Sequence, residues 1–198
     1  MTRSYDVLVI GAGPIGGYLS RALNQHGHSV LMIEEHEQIG RPVQCAGLVN
    51  PGAMNSVSLE STILTTIWGA NIHSPSGKKV SIGDPGIPRT YSVCRKLFDE
   101  AVVKQSIETG SEILLSSKPT SISLNDDRVS VEISGPNGNE IVHCKLLCGA
   151  DGAHSWVRRK LRMGKPTETM IGFQIEVTGY KGDSGMLDMY TGKNISPG

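Results

Sequence analysis

Aromatic residues are scarce in this 198-residue chain, at 5%, while glycine is plentiful at 24. That balance suits a turn-rich α/β fold. No charge of either sign predominates: 19 Lys and Arg offset 19 Asp and Glu, and the pI is near 7. This excludes the basic footprint of a nucleic-acid partner. No apolar run approaches the ~20 residues needed to span a bilayer. The first strand begins almost at the first residue, so no signal peptide is expected. Only four cysteines are present (Cys45, Cys94, Cys144 and Cys148), with no paired metal spacing, so no metal is expected. Cys144 and Cys148 are expected on one face of a strand, as small core residues. A reducing cytoplasmic setting argues against a disulfide. Internal repeats and low-complexity tracts are absent. A chain of this length builds one good core, or one and a fraction.

What is present is a buried strand that runs into a glycine-rich turn, Tyr5-Asp6-Val7-Leu8-Val9-Ile10-Gly11-Ala12-Gly13-Pro14-Ile15-Gly16. A continuous apolar run of this kind reads as a central parallel strand covered on both faces. An amphipathic helix follows, from about Tyr18 to Gln25. In Gly-x-Gly-x-x-Gly, Gly11 permits the tight turn and Gly13 lets backbone approach a pyrophosphate. Gly16 lets helix and strand pack closely. The helix N-terminus favours the phosphate charge. A second strand, Ser29 to Ile33, ends in Glu34, 18 residues after Gly16. A carboxylate there can accept hydrogen bonds from a ribose.

The remainder reads as an interrupted α/β domain. Arg41 to Gly52 is expected to be an irregular loop. Gly69 to Ser74 and Lys78 to Ile82 form a hairpin across Pro75-Ser76-Gly77. Arg95 to Thr109 is a helix whose inner face is Leu97, Phe98, Ala101, Val102 and Ile107, stopped by Gly110. After a buried strand at Glu112 to Leu115, the strands Thr120 to Leu124, Val129 to Ser134 and Glu140 to His143 make an antiparallel meander. Lys145 to Cys148 is a further buried strand ending at a tight turn, and Ser155 to Leu161 is a short basic helix. Ile171 to Val177 and Met186 to Tyr190 are strand-like again.

Three motifs narrow the dinucleotide reading. Tyr91-Ser92-Val93-Cys94-Arg95-Lys96-Leu97-Phe98-Asp99 places an Arg at a helix start. Gly149-Ala150-Asp151-Gly152-Ala153-His154-Ser155-Trp156-Val157-Arg158 puts an acid beside glycines at a strand-to-helix turn. With the glycine turn and Glu34, these resemble the FAD-dependent family that includes p-hydroxybenzoate hydroxylase-type monooxygenases. Pro42-Val43-Gln44-Cys45-Ala46-Gly47 is similar to a loop of the geranylgeranyl reductase family. Tyr190-Thr191-Gly192 with Ser196-Pro197-Gly198 resembles that family's substrate-domain segment. The resemblance covers essentially the whole chain.

The resemblance implies that Gly11, Gly13, Pro14, Ile15 and Gly16 wrap the FAD pyrophosphate and that Glu34 holds the adenosine ribose. It implies that Cys45, Ala46 and Gly47 run along the flavin, with Cys45 the candidate catalytic residue. Arg95 would contact phosphate through forked donors. Thr120 would offer backbone near the adenine, and Asp151 would brace the pyrophosphate loops. Blander readings stand beside these: Arg95 as an exposed helix-start arginine, Cys45 as a buried thiol, Asp151 as a helix cap.

The expected architecture is a Rossmann-like FAD-binding domain over 1–165: a parallel sheet with helices plus a β-meander, with a short β insertion at about 69–90. Residues 166–198 are expected to hold the first strands of a β-rich substrate domain. The expected activity is FAD-dependent reduction of C=C bonds in a geranylgeranyl or polyprenyl lipid. NAD(P)H or a ferredoxin-type protein would donate electrons, and the location would be cytoplasmic, peripheral at the membrane. The alternatives are an aromatic or quinone monooxygenase using NAD(P)H and oxygen, and a nucleotide-binding fragment without catalysis. The 198-residue chain alone is expected to bind FAD weakly and to be catalytically silent.

Overall fold

The computed structural model describes residues 3–193 and Ile195. In chain order the elements are β1 (Arg3–Ile10), α1 (Pro14–Gln25), β2 (Val30–Ile33), β3 (Leu48–Val49), α2 (Pro51–Val57) and β4 (Ile63–Ile67). β5 (Gly69–His73), β6 (Lys79–Gly83), β7 (Thr90–Val93), α3 (Arg95–Glu108) and β8 (Glu112–Leu114) follow. The last are β9 (Lys118–Leu124), β10 (Val129–Gly135), β11 (Gly138–Gly149), α4 (Trp156–Lys160) and β12 (Met186–Tyr190). They form two compact units, each drawing on two stretches of chain.

The first unit comprises residues 3–43 and 96–170. Its six-stranded sheet has the order β8-β2-β1-β11-β10-β9. β8, β2, β1 and β11 run parallel, and β10 and β9 continue antiparallel as the meander. The apolar residues of β1 divide by parity. Leu8 and Ile10 join one core with Leu31, Ile33, Val131 and Val142. Val7 and Val9 join the other with Val30, Met32 and Val103, against which Leu19 and Leu23 of α1 pack. Both faces are thus covered, as the unbroken apolar run requires.

Three sequence expectations are corrected here. The inner face of α3 is Phe98, Asp99, Val102, Val103 and Ser106, whereas Leu97 and Ile107 are exposed. The rotation follows from Gly17 of α1, where a Cβ would lie 3.1 Å from both Val102 and Val103. Close approach at that point selects the helix face. The strands expected at 140–143 and 145–148 are one continuous strand, β11, which leaves β10 and then runs beside β1. Cys144 and Cys148 do not share a face: Cys144 sits in the core with Leu8, and Cys148 packs against the core with Val9. The alternation is broken within β11, so even spacing does not preserve the side.

The second unit comprises residues 44–95 and 171–193 with Ile195. It holds two three-stranded sheets, β12-β5-β6 and β3-β7-β4. The hairpin β5–β6 closes at Pro75-Ser76-Gly77, with Gly77 at a φ of +80°. The stretch Arg41 to Gly52, expected to be a loop, holds β3 and the start of α2, which is capped by the Asn50 side chain accepting from Ala53 N–H. β12 pairs parallel with β5, Asp188 opposite Asn71 and Tyr190 opposite His73. Asp188 accepts from His73 Nε2 at 2.6 Å and from Tyr180 OH at 2.5 Å. That bond to Asp188 pushes the Tyr180 phenol up to about 12. Met186 to Tyr190 is thus a strand, as its pattern suggested, with β5 as its partner. Ile171 to Val177 forms no strand. Its apolar residues Ile171, Phe173, Ile175 and Val177 are 69–96% exposed, and alternation without a paired neighbour does not make a strand. Ser196-Pro197-Gly198 lies outside the described residues.

Candidate functional site

Parallel pairing places Ile10 beside Ile33 and Gly149, so three strand ends share one edge of the first unit's sheet. The turns leaving them carry Gly11, Glu34 and Asp151. The edge is tied by Gly11 N–H donating to Ile33 O at 2.8 Å and Ala150 N–H to Ile10 O at 2.7 Å. In open α/β sheets, the crevice beyond the carboxyl ends of the strands is where ligands bind.

The glycine turn is built by exclusion. Gly11 has a φ of +98°, and a Cβ there would lie 2.5 Å from Ala150 O and 3.0 Å from Asp151 Cα. A Cβ on Gly16 would overlap the Gly11 carbonyl oxygen. Gly13 differs: it is the extended N-cap of α1, and a Cβ there meets nothing within 4 Å. Its smallness serves the open side of the turn, not the packed one. Pro14 occupies the first helical position, and Ile15 is 70% exposed beside it. No side chain caps α1, so its first N–H groups, which have no intrahelical acceptor, face outward with the positive end of the dipole.

Glu34 reaches back into this turn. Its Oε2 accepts the Ala12 N–H at 2.9 Å, and its Oε1 accepts the His36 N–H at 3.1 Å and ring Nδ1 at 2.6 Å. The side chain is 13% exposed. Asp151 caps α4: Oδ2 accepts from Trp156 N–H at 2.6 Å and Val157 N–H at 3.0 Å, while Ser155 Oγ accepts from Arg158 N–H. Thr120 lies exposed on β9, its hydroxyl donating to Glu132 O at 3.2 Å. Ser117, just before that strand, donates its N–H to Glu34 O at 2.9 Å.

The second unit brings together another subset. Gly47, at a φ of +75°, accepts the Val93 N–H at 2.8 Å, and a Cβ there would overlap Val93 O and lie 3.7 Å from Arg95 Cγ. The Cys45-Ala46-Gly47 loop is thereby fixed beside the segment entering α3. Cys45 is half-buried. The sequence reading missed His36 and Ala12. A histidine two residues after the acid was the available signal for the first, whereas a backbone N–H leaves no sequence mark.

The fold and the glycine edge define a dinucleotide-binding α/β protein. Residues 4–191 match the family model described as FAD binding domain, and the chain belongs to that family; its cofactor is FAD. The fit is physical: uncapped N–H groups at α1, open space over Gly13 and a carboxylate at the end of β2 suit a pyrophosphate and a ribose. The chain is 33% identical over its full length to digeranylgeranylglycerophospholipid reductase of Methanosarcina acetivorans, covering 51% of that protein. It is 32% identical over 98% of its length to digeranylgeranylglycerophospholipid reductase 2 of Methanothermobacter thermautotrophicus, covering 52%. The chain thus spans about half the length of the curated relatives it matches. A geranylgeranyl bacteriochlorophyll reductase-like structure from Thermoplasma acidophilum superposes with a TM-score of 0.79 at 24% identity, over 97% of this chain and 51% of that one. The anhydrotetracycline hydroxylase OxyS of Streptomyces rimosus gives 0.68 at 26%, over 80% and 34%.

Proposed function

We propose that the chain is the FAD-holding part of an oxidoreductase that reduces C=C bonds of a geranylgeranyl or longer polyprenyl lipid. The observation that carries this is the match, along the entire chain, to proteins named digeranylgeranylglycerophospholipid reductase. In this reading Gly11, Gly13, Pro14, Ile15 and Gly16 surround the pyrophosphate, and Glu34 accepts from the adenosine ribose. Thr120 offers backbone near the adenine, and Asp151 fixes the turn beside Gly11. Arg95 donates to phosphate, and Cys45, Ala46 and Gly47 line the flavin side. When bound, FAD supplies the hydride. The protein's own part is to hold it, orient the lipid and exclude water. Electrons come from NAD(P)H or a ferredoxin-type donor.

Among the described residues no helix is long and apolar enough to cross a membrane. Independently of that, the proposed location is cytoplasmic and peripheral at the membrane, where a polyprenyl lipid would be met. The second reading is an aromatic or quinone monooxygenase, favoured by the likeness to a hydroxylase of the same fold. The test is to reconstitute the full-length protein with FAD, reduce it chemically without oxygen, add digeranylgeranylglycerophospholipid and follow the lipid by mass spectrometry. Gain of hydrogen pairs supports the proposal. Unchanged lipid, with NAD(P)H oxidised only when an aromatic substrate and oxygen are present, supports the hydroxylase instead.

A further inference from the structure

Glu34 has fewer free acceptor positions than a ribose diol requires. A carboxylate offers about four lone-pair sites, two on each oxygen. Oε2 uses one on Ala12 N–H, and Oε1 uses two, on the N–H and the ring Nδ1 of His36. One site is left on Oε2, whereas a vicinal diol brings two O–H donors. Because a carboxylate only accepts, the His36 Nδ1 carries a proton in this arrangement. The imidazole side chain is 43% exposed and can turn away.

We infer that His36 competes with the cofactor's ribose for Oε1 of Glu34, so that adenosine binding requires the ring to be displaced. This rests on the proposed role of Glu34 as the ribose ligand. The charged groups facing the ring are Glu34 through Nδ1 and Glu35, whose Oε1 is 3.9 Å from Nε2. Lys118 of β9 bonds Glu35 Oε2 at 3.1 Å. From the segment before β9, the Ser116 N–H donates to the His36 carbonyl.

The experiment is calorimetric titration of the full chain with ADP. His36→Ala should bind ADP about two- to tenfold more tightly than wild type, one hydrogen bond's worth. His36→Phe, a ring without a donor, should also bind ADP more tightly than wild type, and it carries the test if the alanine variant misfolds. Glu34→Ala runs in parallel. If it weakens ADP binding while His36→Ala binds equally or less tightly than wild type, the competition is wrong and the ribose assignment stands. Should Glu34→Ala leave affinity unchanged, or wild type not bind ADP, both are wrong.

Discussion

A side chain at Gly16 would occupy the space of the Gly11 carbonyl oxygen. The two glycines are one device, in which the start of α1 lies directly on the turn that leaves β1. Gly16→Ala must push the helix away, at a cost of about 1–3 kcal/mol typical of overpacking. It should lower the melting midpoint and FAD affinity together. Gly13→Ala meets open space and a φ of −74°, so it should melt as wild type and lose FAD affinity alone. Thermal denaturation beside flavin-fluorescence titration separates the two. Equal FAD affinity in Gly13→Ala and wild type would remove that residue from the cradle.

Glu34→Ala removes a carboxylate bonded to the glycine turn and proposed to bond the ribose. A hydrogen bond to a charged group is worth about 1.5–3 kcal/mol, so FAD affinity should fall tenfold or more. Titration of the apo protein with FAD measures it.

The cysteines should separate by environment. Burial pushes the Cys144 thiol up to about 11, so at pH 8 only about one in a thousand is thiolate. It should stay unlabelled by thiol reagents until the protein unfolds. Cys45→Ser should lower the proposed lipid-reduction turnover of the full-length protein with little change in melting midpoint. A fallen midpoint with normal activity per folded molecule would make Cys45 a packing residue only.

Asp6 should shape the acid limb of stability. Lys145 Nζ at 2.7 Å, then the N–H and hydroxyl of Ser29, hold its carboxyl below the usual carboxylate range. A depressed folded pKa gives stability that is present above the unfolded value and lost as pH falls toward the folded one. The Tm gap between wild type and Asp6→Asn should therefore be constant near neutrality and narrow below about pH 4. A gap that stays constant down to about pH 2 contradicts this.

Exposed Ile171, Phe173, Ile175 and Val177 should drive self-association of the 198-residue chain. Light scattering on the double variant Phe173→Ser with Ile175→Ser should give a smaller species than wild type at equal concentration. Identical sizes would show that this row does not mediate contact.

The sequence by itself determined β1, the glycine turn, α1 and the acid ending β2. Each of these depends on residues close along the chain: an apolar run, the positive φ of Gly11, a proline at the first helical position. It also determined the hairpin at Pro75-Ser76-Gly77 and the meander, for the same short-range reason. Tertiary structure alone decided the rest. The inner face of α3 follows the approach of Gly17 to Val102 and Val103, which no periodicity count contains. β12 became a strand because β5, over a hundred residues earlier, offered a free edge, while Ile171 to Val177, equally alternating, found none. The acceptor census of Glu34 was invisible for a related reason. Its partner at Ala12 is a backbone N–H lying 22 residues away, and only parallel pairing of β1 with β2 brings that group to the carboxylate.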